Sequence, residues 1–252
     1  MNNLTKTIFL VFLVTMLPIR LVAQVGEYRN DFSIGGGAGI ALNSVGFTPR
    51  ISQGMHVGPT VGGTARYVCE KYYSMICSIV AEVNFASLGW KEEILDVYDN
   101  KVVNPHTGKT EEYSRTITYL QMPIFAHLAW GKEHEGCNFF FRAGPQFGLM
   151  LGESTSSNFD LQEANMKDRS SSVVKQYSMD VERKFDYGIA GAVGLEYSVP
   201  QLGHFLLEGR YYYGLGNIYN ASKRDYFGKS NHSTIMIKLT YLMDVFHRKK
   251  GQ

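Results

Sequence analysis

The chain has 252 residues, 26 glycines, 16 tyrosines and 15 phenylalanines but only 7 prolines and 3 cysteines, and its 25 basic and 23 acidic side chains give a formal charge of +2. Near neutrality excludes a nucleic-acid binder driven by net charge, and three cysteines with no CxxC exclude a disulfide-built scaffold, a zinc site or a thioredoxin-like couple. A mean hydropathy of −0.15 excludes a polytopic helical membrane protein, but not a membrane barrel, whose strands hide half their residues from lipid.

Residues 1–23 read as a secretory signal peptide: Lys6, an apolar run from Ile8 to Leu17, Pro18, and Leu21-Val22-Ala23 ahead of the cleavage point. The run is too short to span a bilayer as a helix. Its removal takes away Lys6 and Arg20 and no acids, so the 24–252 domain is formally neutral.

Eight segments of that domain alternate with a period of two. Phe32, Ile34, Gly36, Ala38, Ile40 and Leu42 share one parity, and Ser33, Gly35, Gly37, Gly39 and Ala41 the other. Val61, Ala65 and Tyr67 then oppose Thr60, Thr64 and Arg66, and Cys77, Ile79, Val83 and Phe85 oppose Ser78, Glu82 and Asn84. Leu120, Met122, Ile124 and Leu128 oppose Tyr119, Gln121 and His127, and Phe139, Phe141, Phe147 and Leu149 oppose Arg142 and Gln146. Tyr187, Ile189, Val193 and Leu195 oppose Asp186 and Glu196; Phe205, Leu207 and Tyr211 oppose Glu208 and Arg210; Ile235, Ile237, Leu239 and Val245 oppose Lys238 and Asp244.

No charge falls on the apolar parity of any segment. An Arg or Lys at the lipid midplane costs about 2–4 kcal/mol, so a membrane barrel imposes that strictness and a soluble sandwich does not. Pro123 and Pro145 each remove a ladder donor, which predicts a bulge or a local loss of pairing. Long connections (43–56, 91–114, 153–184, 217–232) alternate with short ones (69–75, 131–136, 200–203). Long extracellular loops and tight periplasmic turns would place both termini in the periplasm. Tyr72, Tyr73, Trp130, Phe139, Tyr197 and Phe205 at the short-turn end, with Trp90, Tyr119, Tyr211, Tyr213 and Tyr219 at the other, suit an aromatic girdle.

The stretches Tyr119-Leu-Gln-Met-Pro-Ile-Phe-Ala-His-Leu, Phe139-Phe-Phe-Arg-Ala-Gly-Pro-Gln-Phe-Gly and Phe185-Asp-Tyr-Gly-Ile-Ala-Gly-Ala-Val-Gly-Leu-Glu-Tyr, followed by Glu208-Gly-Arg-Tyr-Tyr-Tyr-Gly-Leu-Gly-Asn, resemble the PorT-like outer-membrane β-barrel family. The resemblance covers nearly all of the exported chain and implies an eight-stranded transmembrane up-and-down barrel. The member that names the family is associated with protein secretion and surface display through the type IX system. The shared motifs are strand elements and carry no catalytic or binding signature.

Eight strands leave an interior that side chains fill. The inward parity sets Glu82, Asp186, Glu196 and Glu208 against Arg66, Arg142, Arg210 and Lys238, a set expected to form a structural ion-pair network. His127 points inward as a hydrogen-bond partner, with no second His or Cys at metal-ligand spacing. Cys69 and Cys77 flank one turn, and both a disulfide and idle thiols fit the spacing. Gly35 to Gly39 matches no phosphate loop and suits close packing where the first strand meets the last. Rim-enzyme candidates are His56, His106 and His232 with Asp96, Asp99 or Ser154, but no HExxH or GxSxG occurs and parity does not gather them. The basic tail His247-Arg-Lys-Lys250 reads as a solvated end.

The sequence therefore predicts an all-β, eight-stranded antiparallel barrel with a filled polar lumen in the bacterial outer membrane. Its expected role is that of a monomeric, non-enzymatic scaffold for extracellular loops, with outer-membrane lipid and envelope or secretion proteins as partners and no cofactor, metal or nucleic acid. The alternatives are a small gated porin-like channel, a rim enzyme, and a soluble periplasmic ligand-binding barrel, the last of which needs an apolar inward parity.

Overall fold

A computed structural model describes residues 26–132, 135–160 and 163–246. The predicted signal peptide at 1–23 and the basic tail at 247–250 lie outside the described residues.

Alternation in Val, Ile, Tyr and Phe favours extended backbone that can present one face to each medium. The strands are β1 (Glu27–Thr48), β2 (Gln53–Gly54), β3 (His56–Tyr72), β4 (Met75–Glu92), β5 (Tyr113–Trp130), β6 (Gly136–Ser157), β7 (Phe185–Val199), β8 (Gly203–Gly214) and β9 (Lys229–Phe246). Eight are long and antiparallel; each pairs with its neighbour, and β1 pairs with β9 to close the ring. The two-residue β2 belongs to the first loop and pairs with the upper end of β4.

Outward side chains include Ile40, Ile189 and Leu239, which are 56%, 59% and 58% exposed. An apolar surface that runs around all eight strands far exceeds the patches soluble monomers tolerate, so lipid must cover it. This band sets the barrel's depth in the membrane.

The seam is built from glycine. Gly35, Gly37 and Gly39 lie opposite Leu242, Thr240 and Lys238 of β9. A Cβ at Gly35 would run into the Tyr241 carbonyl, and one at Gly37 would sit 2.8 Å from the Lys238 side chain. The row lets the first and last strands close and leaves the lumen to the long Lys238 chain.

Two expectations are corrected and a third, at the prolines, is met in part. Six of the eight long strands outrun the alternating segments, among them β1 and β6, each of 22 residues. At the prolines the β5–β6 ladder keeps its register but skips from Pro123↔Gln146 to Ala126↔Ala143, so pairing is lost locally, as expected, without a bulge. The shifts of register fall elsewhere: between Tyr28 and Asp31 and between Phe32 and Ser33 in β1, at Cys69 between Val68 and Glu70, and between Thr118 and Tyr119. Finally, Tyr211, Tyr213, Tyr197 and Phe205 do face outward, but Trp90, Tyr119 and Tyr219 are buried inside. Trp90 shares the inward parity of Glu82, and Tyr119 that of Gln121 and His127.

Those three aromatics belong to a core above the lipid. Val45, Phe47, Leu88, Trp90, Tyr113 and Ile117 from the upper strand ends pack with Ile94, Val102, Phe159, Val181, Ile218 and Phe227 from the loops. The loops thus fold into the mouth as a cap.

Candidate functional site

The lumen is filled in successive levels. Near the short-turn end, Arg66 of β3 donates to Glu196 of β7 at 2.7 Å. His204 of β8 lies 2.8 Å from Glu196 and 3.2 Å from Asp244, which also accepts from Ser33 at 2.6 Å. His127 stacks near Phe140 with its Nε2 3.9 Å from Glu196. These groups line a cavity of about 20 Å³, room for a single water.

Midway, Glu82 of β4 accepts from Arg210 of β8 at 2.8 and 2.9 Å, from Lys238 of β9 at 2.9 Å and from Arg142 of β6 at 3.2 Å. Glu208 accepts from Arg210 at 2.6 Å and also meets Arg142. Lys238 reaches Asn84 at 2.8 Å. Both guanidinium groups lie over Phe125, at 5.0 Å for Arg142 and 4.8 Å for Arg210. Four strands are tied across the lumen by charge-assisted bonds, which are stronger than neutral ones in a medium that excludes water.

Asp186 stands apart from these ion pairs: it accepts from the Tyr212 hydroxyl at 2.7 Å. The next level is neutral. Asn43 donates to the Gly89 carbonyl at 2.5 Å and accepts from Thr234 at 2.5 Å, while His232 lies 3.2 Å from both Asn43 and the Tyr119 hydroxyl.

Above the apolar band, polar latches fasten the cap. Arg115 of β5 donates to the carbonyls of Met179 and Gln176 at 2.5 and 3.1 Å and to the Tyr219 hydroxyl at 3.1 Å. Arg169 in the loop 158–184 donates to Glu111 at 2.7 Å. Glu92, the last residue of β4 and well past the lipid-facing Phe85, accepts from Gln176 at 2.9 Å and from Tyr177 at 2.5 Å. Burial pushes the Glu92 carboxyl up from its ordinary range. Burial, and then the Glu92 charge, also raise the Tyr177 phenol. At the tip of the loop 93–112, backbone N–H groups of Asn100 and Tyr98 donate to Asp96 and hold its carboxyl below the usual range.

Of the eight predicted lumen charges, seven fall into the two ion-pair levels and Asp186 does not. Sequence reasoning omitted His204, Ser33 and Asp244 from the network, although the parity of Asp244 already pointed inward. It also missed the latches, because Arg115, Glu111 and Arg169 lie where the alternating segments stop or in loops. Cys69 and Cys77 are free thiols: Cys69 occupies the bulge, so Cys77 pairs with Glu70 instead.

The rim-enzyme candidates are dispersed. His232 is inside the lumen, Asp96 and Asp99 are on a loop tip, and His106 caps a turn with its backbone N–H on Asn104. His56 reaches only the Thr116 hydroxyl, at 3.5 Å, across from Ser154 on the next strand. A nucleophile needs a base that is itself oriented by a third group, and His56 has no carboxylate partner among the described residues. Among the described residues no group of three or more His, Cys, Asp or Glu could hold a metal ion.

A closed ring of long antiparallel strands, an apolar outer wall and a charged interior define a transmembrane β-barrel of the bacterial outer membrane. The family model described as outer membrane protein beta-barrel domain matches residues 22–220, and the chain belongs to that family. Three solved structures are similar at low identity. OprG from Pseudomonas aeruginosa is 14% identical with a TM-score of 0.41, over 88% of this chain and 99% of that one. The attachment invasion locus protein Ail of Yersinia pestis is 13% identical with a TM-score of 0.33, over 86% and 99%. Neisserial surface protein A is 13% identical with a TM-score of 0.35, over 83% and 96%. No curated protein matches the chain.

Proposed function

We propose that this integral outer-membrane protein is a sealed, monomeric, non-enzymatic anchor that presents a prefolded cap to the outside of the cell, with both termini in the periplasm. The carrying observation is the double closure. Buried ion pairs on Glu82 and Glu208 fill the lumen, and the loops fill the mouth with a core around Trp90 and Phe47. A solute path would have to break both, and a buried charge left without its partner costs about 3–5 kcal/mol. An apolar ligand pocket, which a soluble carrier would need, has no place among those charges. Function on rigid scaffolds concentrates in loops, and here the loops carry their own core.

Purified protein in planar bilayers is expected to show no stable large conductance; a steady nanosiemens channel from the monomer would refute the seal. The finer reading, an accessory to secretion or surface display, comes from the family resemblance alone, since the shared strand motifs specify the barrel and not a role. Co-purification from native membranes, with and without residues 158–184, tests it: one specific partner should be lost with the loop, and an unchanged partner set removes that loop from the interaction.

A further inference from the structure

The outer wall carries a groove that the lumen chemistry does not use, with a volume of about 590 Å³, within the range of small-molecule sites. Its floor is the outward face of β1 and β9: Ser44 and Gly46 beside Asn231 and Ser233. The loop at 50–55 forms the opposite wall. On these two strands the apolar wall ends at Leu42 and Ile235. The groove therefore begins where lipid tails give way to headgroups.

Arg50 and Lys229 line it, and neither is ion-paired with a carboxylate among the described residues. Lys229 rests 5.8 Å from the Tyr213 ring centre and 3.4 Å from its hydroxyl. Glu93 is the single acid in the lining, which leaves the groove net positive.

Asn231 supplies an independent indication. It is 5% exposed, and its Nδ2 donates to the Gly214 carbonyl at 2.8 Å, while its Oδ1 has no donor. A Cβ at position 46 would lie 2.9 Å from that oxygen, so Oδ1 lies directly against the glycine in the groove floor. A buried acceptor without a donor is costly, and a ligand hydroxyl would satisfy it.

A ligand that answers all three groups carries anionic oxygens for the two cations and hydroxyl donors for Asn231. It also needs an apolar part that can follow the wall below, past Ile40 and Ile237. We propose that the groove binds the phosphorylated saccharide headgroup of an outer-leaflet glycolipid. Phosphate meets Arg50 and Lys229 through charge-assisted bonds, a sugar hydroxyl donates to Asn231 Oδ1, and the acyl chains lie against β1 and β9. The site's placement in the outer leaflet rests on the proposed outward orientation of the loop end.

Native mass spectrometry of the full purified chain in detergent tests the site with three probes: bisphosphorylated lipid A, its phosphate-free counterpart and phosphatidylglycerol. The expected result is one retained lipid A, favoured about tenfold over either other probe. The Arg50→Ala/Lys229→Ala variant should lose about tenfold in occupancy, and Gly46→Leu, which fills the floor without changing charge, should lose a similar amount. Unheated gel migration checks that both variants remain folded. Equal retention by the double variant, equal retention of the phosphate-free probe, or a preference for phosphatidylglycerol would overturn the proposal. Micelles have no sidedness, so this result is independent of orientation. Tyr98→Cys labelled on intact cells by an impermeant maleimide reads orientation separately: labelling supports the outward loops, and protection refutes them.

Discussion

The same strands enclose two interiors of opposite character. In the lipid-embedded stretch the inward side chains include the charges Arg66, Glu82, Arg142, Glu196, Glu208, Arg210 and Lys238, set among a few apolar groups such as Phe125 and Phe140; above it the same parity carries Val45, Phe47, Leu88, Trp90 and Ile117. The medium outside decides the difference. Where lipid takes the apolar side chains, the lumen has room for little solvent and its charged groups pair with one another. Where water surrounds the strands, the inward parity reverts to an ordinary apolar core and polar groups serve as latches. Stability in the first region rests on ion pairing, and in the second on packing.

That contrast can be broken at its strongest point first. Glu82→Leu leaves Lys238 without a carboxylate and makes both arginines share Glu208, and should cost about 4 kcal/mol. Urea unfolding in detergent would read it as a lowered midpoint at unchanged slope. Leu88→Ala in the cap should cost about 3 kcal/mol, but its effect is local: faster proteolysis within 158–184, with the barrel's gel migration unchanged. An equal global loss from both substitutions would show that the two interiors are one cooperative unit.

A smaller effect comes from pH. The folded-state Glu92 carboxyl is raised above its unfolded value, so its contribution is fully present below the unfolded pKa and declines as pH rises through the folded one. Cap protease resistance should fall over that rise, and Glu92→Gln should flatten the profile. Asp96 has the opposite sign. Its lowered carboxyl favours the turn above the unfolded pKa and loses that effect as pH falls through the folded one. Asp96→Ala should speed amide exchange at Tyr98 and Asn100 and leave the rest of the chain unaltered.

The barrel was legible because lipid forbids charge on one parity over all eight segments, and that signal fades where lipid ends. Beyond Leu42 the apolar positions of β1 become Val45 and Phe47, on the other parity, so an unbroken strand reads as a loop. Trp90 passes for a girdle residue unless its parity with Glu82 is followed upward. The lumen charges were legible as a set, since each lies on the inward parity, but their partners depend on strand stagger. Asp186 consequently falls to Tyr212, while Arg142 reaches both Glu82 and Glu208. Loop latches such as Arg169 to Glu111 have no periodicity to announce them.

The 22-residue length of β1 and β6 has a mechanical consequence. At about 3.3 Å per residue and a tilt near 40°, such a strand rises roughly 55 Å, about twice the apolar band of an outer-membrane barrel. Much of the excess stands on the loop side as a rigid collar. The cap is held aloft on a stalk, and whatever it touches is met beyond the headgroup layer, at a distance set by strand length rather than by loop flexibility.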